Sequence, residues 1–285
     1  MKTVVVLGAL GMAGHIMTEY LNNTGDYKVL GVARQSGQNV SEVLDVLDFD
    51  KLTVFLKESK ADIVINCIGV LVSASNSDVS RAILINSYFP HFLGSMAEQL
   101  KFKLVHISTD CVFSGKVGGY SEKSFRDGDD TYARTKALGE VTAGNHLTIR
   151  TSIIGPELKS TGTGLMDWFF KQDGEISGYS KAYWSGVTTL ELAKATHNII
   201  QKDLNGLIQL CPQSKISKFE LLELFNEIWM RGCVIKENDS YAVDKSLIST
   251  RDDFSYIVPD YKKMLGEMKS WTSAHTKYYR HYNFN

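Results

Sequence analysis

The chain has 285 residues, 44% of them hydrophobic, with 31 basic side chains against 32 acidic ones and a formal net charge of -1. That length can bury a sizeable core, either in one large α/β domain or in a nucleotide domain with a smaller lobe. The balanced charge excludes the electrostatic footprint of a nucleic-acid binder or of a protein held on an anionic membrane, and the longest apolar stretch, 63–72, is too short to span a bilayer.

The first residues enter a strand directly, without a signal-peptide pattern. The four cysteines, Cys67, Cys111, Cys211 and Cys233, show no CxxC spacing. They read as reduced, packed thiols, so a cytoplasmic setting with small-molecule partners is expected.

A strand is predicted over 3–7, and it runs into Gly8, Gly11 and Gly14 and then into the helical pattern Ile16, Met17, Tyr20, Leu21. Gly8 lets the backbone turn sharply, Gly11 lets it approach a pyrophosphate, and Gly14 lets the helix pack on the strand. The open helix start, with unpaired amides and the positive end of the dipole, then faces an anion. Glycines at this spacing also mark ordinary turns; the setting between an apolar strand and a helix is what favours a dinucleotide.

A second strand, 28–33, ends at Arg34, about twenty residues past the glycine turn, where enzymes preferring NAD usually place an acid for the ribose hydroxyls. Arg34 either pairs with a 2'-phosphate through its forked guanidinium, which favours NADP, or is a solvated loop residue. Asp48, before a predicted helix over 51–58, either faces the adenine edge or caps that helix. A strand over 62–68, a helix over 90–100 and a strand over 103–108 follow. The last ends at Ser108 and Thr109, whose hydroxyl can hold a substrate carbonyl. His106, Ser108 and Asp110 alternate along this strand, but no nucleophile-elbow motif accompanies them, which argues against a hydrolase.

A helix over 132–143 carries Tyr132 and Lys136 four positions apart, on one face. A cationic Lys136 beside the phenol favours the phenolate, so that Tyr132 exchanges a proton with a carbonyl oxygen near neutral pH. A second copy of the spacing, Tyr241 with Lys245, lies outside the strand-helix rhythm and reads as coincidence. With a last strand over 147–151, this alternation predicts a Rossmann-type, doubly wound parallel sheet with helices on both faces and ligands at the carboxyl ends of its strands. The glycine turn and the Tyr132–Lys136 pair together point to a nicotinamide-dependent oxidoreductase. After Arg150 the rhythm loosens into glycines, a Trp168-Phe169-Phe170 cluster and helices over 189–200 and 217–230. The expected division is a dinucleotide-binding domain over 1–154 and, over 155–285, a smaller C-terminal substrate-binding lobe with some segments returning to the sheet.

Three segments carry a family resemblance: Gly8-Ala-Leu10-Gly11-Met12-Ala-Gly14, Ser108-Thr-Asp-Cys-Val-Phe-Ser-Gly115 and Tyr132-Ala-Arg-Thr-Lys-Ala-Leu-Gly-Glu140. They resemble extended short-chain dehydrogenase/reductases, specifically the dTDP-4-dehydrorhamnose reductase branch, and the likeness is strongest up to about Pro156. The resemblance implies Thr109, Tyr132 and Lys136 as the catalytic set, with Lys136 also on the nicotinamide ribose. It implies Cys67, Ile68 and Gly69 along the cofactor, and matches Asn86 to a helix asparagine of the family. It further implies NADPH as cofactor, with NADH as the alternative, and a nucleotide-linked 4-keto-6-deoxyhexose as substrate, for surface-polysaccharide synthesis. Asp110, Cys111 and Ile153 are then expected at the sugar. Cys111 stands where the family usually has tyrosine, and Ile153 where an aromatic is common. The smaller lining suggests a bulkier sugar, such as a UDP-linked 2-acetamido-2,6-dideoxy-hexulose. His15 replaces an acid after the glycine turn, which speaks against the metal-assisted dimer contacts of part of the family; no metal is expected, and a homodimer is the expected assembly if there is one. A reading from another class is a non-catalytic, NADP-binding regulatory subunit, against which the retained Thr109, Tyr132 and Lys136 argue.

Overall fold

The computed structural model describes residues 1–282 and 284. In chain order the elements are β1 (Lys2–Leu7), α1 (Met12–Thr24), β2 (Tyr27–Ala33), β3 (Glu42–Val43), α2 (Phe49–Ser59), β4 (Ile63–Asn66), α3 (Val72–Ser77) and α4 (Val79–Ala82). A π-helical turn (Ile83–Tyr88), α5 (Phe89–Leu100), β5 (Lys103–Thr109), a 3₁₀ turn (Asp110–Val112), α6 (Thr131–Leu138) and β6 (Leu147–Thr151) complete the first half. The second half holds β7 (Ile153–Ile154), α7 (Leu165–Phe170), β8 (Glu175–Tyr179), β9 (Ala182–Trp184), β10 (Val187–Thr188), α8 (Thr189–Gln201) and β11 (Gly206–Gln209). It ends with β12 (Ile216–Ser217), α9 (Lys218–Trp229), β13 (Val234–Asn238), β14 (Val243–Asp244) and α10 (Tyr261–Ala274).

Seven strands form one sheet in the order β11-β6-β5-β4-β1-β2-β3, and every pairing in it is parallel. Alternation along β1 explains the two-sided burial. Val4 and Val6 enter one core, with Ile16, Met17 and Leu21 of α1; Val5 and Leu7 enter the other, with Leu52 and Leu56 of α2 and Leu93 of α5. A strand buried on both faces needs apolar residues at consecutive positions, which is why 3–7 reads as a continuous run. The strand order reverses between β1 and β4, and there the loops after Leu7 and Asn66 part to open a crevice.

The first core continues past residue 154 without a break, through Met166, Phe169, Phe225, Trp229 and Met268. Residues beyond 154 also build a β8–β13 pair and a three-stranded β12-β9-β14 sheet. Its three longer helices begin on side-chain caps: Thr188 for α8, the reciprocal Ser217–Glu220 capping box for α9, and Asp260 for α10. The second half also buttresses α1. The Gly11 carbonyl can only accept, so His15 donates to it from Nδ1 at 2.8 Å, and Nε2 accepts from the Tyr279 hydroxyl at 2.9 Å. Burial lowers the His15 pKa to about 4, so the ring is a neutral packing and hydrogen-bonding group.

Helix α6 ends at Leu138, five residues short of the predicted end at 143. Gly139 passes so close to the π-helical turn that a Cβ would lie 1.8 Å from the Asn86 carbonyl oxygen. The next residue, Glu140, turns inward to accept from Arg150 through Nε at 2.8 Å and a terminal nitrogen at 2.7 Å, and from Ser108 at 2.8 Å. This buried, bidentate pair ties the end of α6 to β5 and β6.

Candidate active site

The glycine turn is built as its spacing requires. Gly8 has φ +87°, open to glycine, and its amide donates to the Val32 carbonyl at 3.0 Å, locking the turn onto β2. A Cβ on Gly14 would stand 2.1 Å from the Gly8 oxygen, so α1 crosses the turn at a distance only glycine permits. Gly11 is the N-cap of α1 and offers no side-chain cap, leaving the first amides of a thirteen-residue helix directed outward.

In front of this turn lies a cleft of about 470 Å³ lined by Gly8, Leu10, Gly11, Arg34, Cys67, Ile68 and Gly69, among others. Met12 opens α1, with its side chain directed toward Gly164; Gly14 packs behind the turn. Asp48 is not on the cleft wall. Its carboxylate caps α2, accepting from the Lys51 amide at 3.2 Å and pairing with the Lys51 ammonium at 2.7 Å, while Asp45, Val46 and Leu47 line the cleft in its stead. Arg81 and Lys159 also line it. Sequence reasoning missed both, because Arg81 sits in a one-turn helix and Lys159 far along the chain, with no local pattern marking either. Arg34, Arg81 and Lys159 make no ion pair among the described residues.

The cleft fits a dinucleotide on its own terms: glycine backbone at the turn, an uncapped helix start, and three exposed cations at the rim for phosphate groups.

Lys136 is buried, 4% exposed, on α6. Its Nζ donates to the Ile107 carbonyl at 2.8 Å and lies 3.3 Å from His106 Nε2. Burial lowers its pKa to about 8, which the charges of Glu140 and Cys67 partly offset. Cys67, at the cleft, is a neutral thiol pushed up to about 12 by burial. Tyr132 is half-buried on the same helix. Burial raises its phenol above the ordinary value, with the Cys111 charge adding and a hydrogen bond with Thr109 opposing. The expected acidification by Lys136 is therefore not what governs Tyr132 here; the phenol is a retained proton, and the lysine's bonds go to β5. Thr109 ends β5 and its Oγ1 donates to Asp110 at 3.2 Å while accepting from the Cys111 amide at 3.1 Å. Asn86, on the π-helical turn, accepts from the Val70 amide at 2.8 Å and donates to the Val70 carbonyl and Thr135, joining the loop after β4 to α6.

Beyond Thr109 opens a second cavity of about 780 Å³, lined by Asp110, Cys111, Ser152, Trp168, Lys218 and Lys245, among others. Ile153, expected at the sugar, instead packs against the core in β7, and its neighbour Ser152 faces the cavity. Lys218 lies 4.7 Å above the Trp184 ring, and burial lowers its pKa to about 8 against the charges of Asp110 and Cys111. Asp110 is buried and its carboxyl raised by that burial, with Lys245 and Lys218 pulling it down. Tyr241 and Lys245, set aside as a chance repeat of the tyrosine-lysine spacing, both line this cavity, though on the edge of β14 and not on a helix. Lys136 interacts with Cys67, which lines the first cleft, and Tyr132 with Cys111, which lines the second cavity. Among the described residues there is no cluster of three His, Cys, Asp or Glu side chains able to hold a metal, and no helix is long and apolar enough to cross a membrane.

Known proteins resemble this chain in sequence and in fold. Over 142 residues the chain is 29% identical to the dTDP-4-dehydrorhamnose reductase of Aggregatibacter actinomycetemcomitans, covering 49% of this chain and 46% of that one. Over 144 residues it is 28% identical to a probable low-salt glycan biosynthesis reductase of Haloferax volcanii, covering 47% and 46%. The chain thus matches about half the length of these relatives. Its fold is that of the Bacillus anthracis dTDP-4-dehydrorhamnose reductase solved in complex with NADP, with a TM-score of 0.83 at 20% identity over 95% of this chain and 100% of that one. The model of one family, the RmlD substrate binding domain, matches residues 1–236, and the chain belongs to that family.

Proposed function

We propose that this protein reduces the C4 ketone of a nucleotide-linked 4-keto-6-deoxyhexose with NADPH, as a step in making surface polysaccharide. The observation that carries the reading is a dinucleotide-shaped cleft that includes Cys67, the neighbour of Lys136, and a second cavity that holds two lysines and Cys111, the neighbour of Thr109 and Tyr132. Residues 1–154 supply the cleft apart from Lys159, and the residues after 154 supply most of the substrate cavity. The reaction belongs in the cytoplasm, where NADPH and nucleotide sugars are made.

A bound NADPH supplies the hydride. The chain supplies the rest. Arg34, Arg81 and Lys159 attract the phosphates, and Arg34 is the group suited to a 2'-phosphate. The Thr109 hydroxyl orients the substrate carbonyl, and Tyr132 Oη gives its proton to the carbonyl oxygen as negative charge develops there. Lys136, behind Tyr132, stabilises the phenolate left after that transfer. Lys218 and Lys245 meet the anionic part of the nucleotide sugar.

A second sugar is favoured by one feature. Cys111, small and half-buried at the cavity wall, leaves space for a substituent at C2 such as an acetamido group. The test follows NADPH absorbance with dTDP-4-dehydrorhamnose and, in parallel, with a UDP-linked 2-acetamido-2,6-dideoxy-4-keto sugar. Oxidation with one of them assigns the substrate. NADPH binding without turnover of either counts against reduction and in favour of a regulatory subunit.

A further inference from the structure

We propose that a one-way hydrogen-bond chain running Ile68, Asn66, His106 holds Lys136 as a free amine in the unliganded protein, so that filling the dinucleotide cleft with NADPH draws one proton onto Lys136 Nζ. The inference rests on the cleft being an NADPH site.

The direction of the chain follows from its first member. A peptide N–H can only donate, and that of Ile68 lies 3.0 Å from Asn66 Oδ1. This fixes the amide, so Asn66 Nδ2 is a donor, and it lies 3.2 Å from His106 Nδ1. That ring nitrogen must accept, which puts the proton of the neutral imidazole on Nε2. Nε2 lies 3.3 Å from Lys136 Nζ. An amine accepts this N–H through its lone pair; an ammonium meets it donor against donor. No rearrangement removes the conflict. Moving the proton to His106 Nδ1 sets it against Asn66 Nδ2, and flipping Asn66 turns its NH₂ onto the Ile68 amide.

The chain is out of reach of solvent that could relieve it: Asn66 and His106 are 0% exposed and Lys136 4%. Neighbouring groups do not supply a compensating charge at contact. Glu140 is engaged by Arg150, Ser108 and Arg126, and Cys67 meets Lys136 as a neutral thiol. Burial holds the His106 ring neutral, with the charges of Lys136 and His91 acting in the same direction. Burial also brings Lys136 down to about 8. The phosphates of a dinucleotide in the adjoining cleft reverse the balance by favouring the cation.

Calorimetric titration with NADPH at pH 8, in buffers of different ionisation enthalpy, counts the protons exchanged. At that pH the 2'-phosphate, with a pKa near about 6, is already ionised and exchanges none. The expected result is uptake of up to about half a proton per NADPH by the wild-type protein, the share of Lys136 that is free amine at a pH equal to its pKa of about 8. His106→Leu and Asn66→Leu, which let Lys136 be an ammonium beforehand, lose most of that uptake while still binding NADPH; should the histidine variant fail to fold, the asparagine variant decides. Binding without uptake by the wild type overturns the inference, as does uptake that persists in Lys136→Met. A protein that does not bind NADPH at all overturns the reading of the cleft itself, and this inference with it.

Discussion

Tyr132 keeps its proton because its surroundings are dry, and a donor that is fully protonated at working pH suits a reduction that must deliver a proton to an alkoxide. Replacing it with phenylalanine removes one oxygen and little volume. Tyr132→Phe is expected to bind NADPH as the wild type does, by fluorescence titration, while turnover falls by about 10²–10⁴-fold; equal turnover removes Tyr132 from the proton-donor role. Lys218 makes a prediction of opposite character. With its pKa lowered to about 8, it is cationic below that pH and loses its charge as pH rises through it, so attraction for the anionic substrate is present at low pH and fades above about 8. KM is expected to climb across that range. Lys218→Met should raise KM about tenfold at neutral pH, in line with loss of a charged hydrogen bond, and flatten the climb. The glycines, Thr109, Tyr132 and Lys136 were legible because each sits in a short pattern with a physical reason for its spacing. Lys218, Lys245, Arg81 and Lys159 were not, because only folding brings them to the cavities.

Helix α1 and the turn before it form a single device, in which the Gly14 backbone rests on the Gly8 carbonyl. Gly14→Ala places a methyl 2.1 Å from that oxygen, and either the helix must move or the turn must open. The expected cost is about 1–3 kcal/mol of stability, seen as a lowered Tm, with weaker NADPH binding; an unchanged Tm and Kd would mean that the helix start is loose. Boundaries were legible where a cap or glycine marks them. Thus Ser217 starts α9 within a residue of expectation, whereas α1 starts at Met12, inside the glycine turn and ahead of the helix expected after Gly14. The end of α6 carries the same mark, Gly139 as its C-cap, but the predicted helix runs past that glycine to 143; the close approach to the Asn86 carbonyl and the inward pull of Arg150 on Glu140 are what fix the stop there. The π-helical turn was invisible: its cause is the tertiary bonding of Asn86 to Val70 and Thr135.

Across the whole molecule, the parallel sheet was readable from β-branched runs alternating with helical stretches, since strands buried on both faces must be apolar throughout. The strand order, and the entry of β11 beside β6, depend on pairings between segments far apart, and no local pattern encodes them. One core runs from Val4 on β1 to Met268 on α10. Heating is therefore expected to give a single calorimetric transition, raised by NADPH in proportion to the logarithm of its concentration above Kd; two separable transitions would show that the substrate side melts alone.

The bond from His15 to Tyr279 joins positions 264 residues apart. During synthesis the helix behind the phosphate turn leaves the ribosome 264 residues ahead of its buttress. A nascent chain thus has the glycine turn long before it has a rigid place to anchor NADPH, and ribosome-bound chains halted before Tyr279 emerges should retain the cofactor poorly. The grip on the cofactor is completed by a part of the chain made long after the turn that forms it.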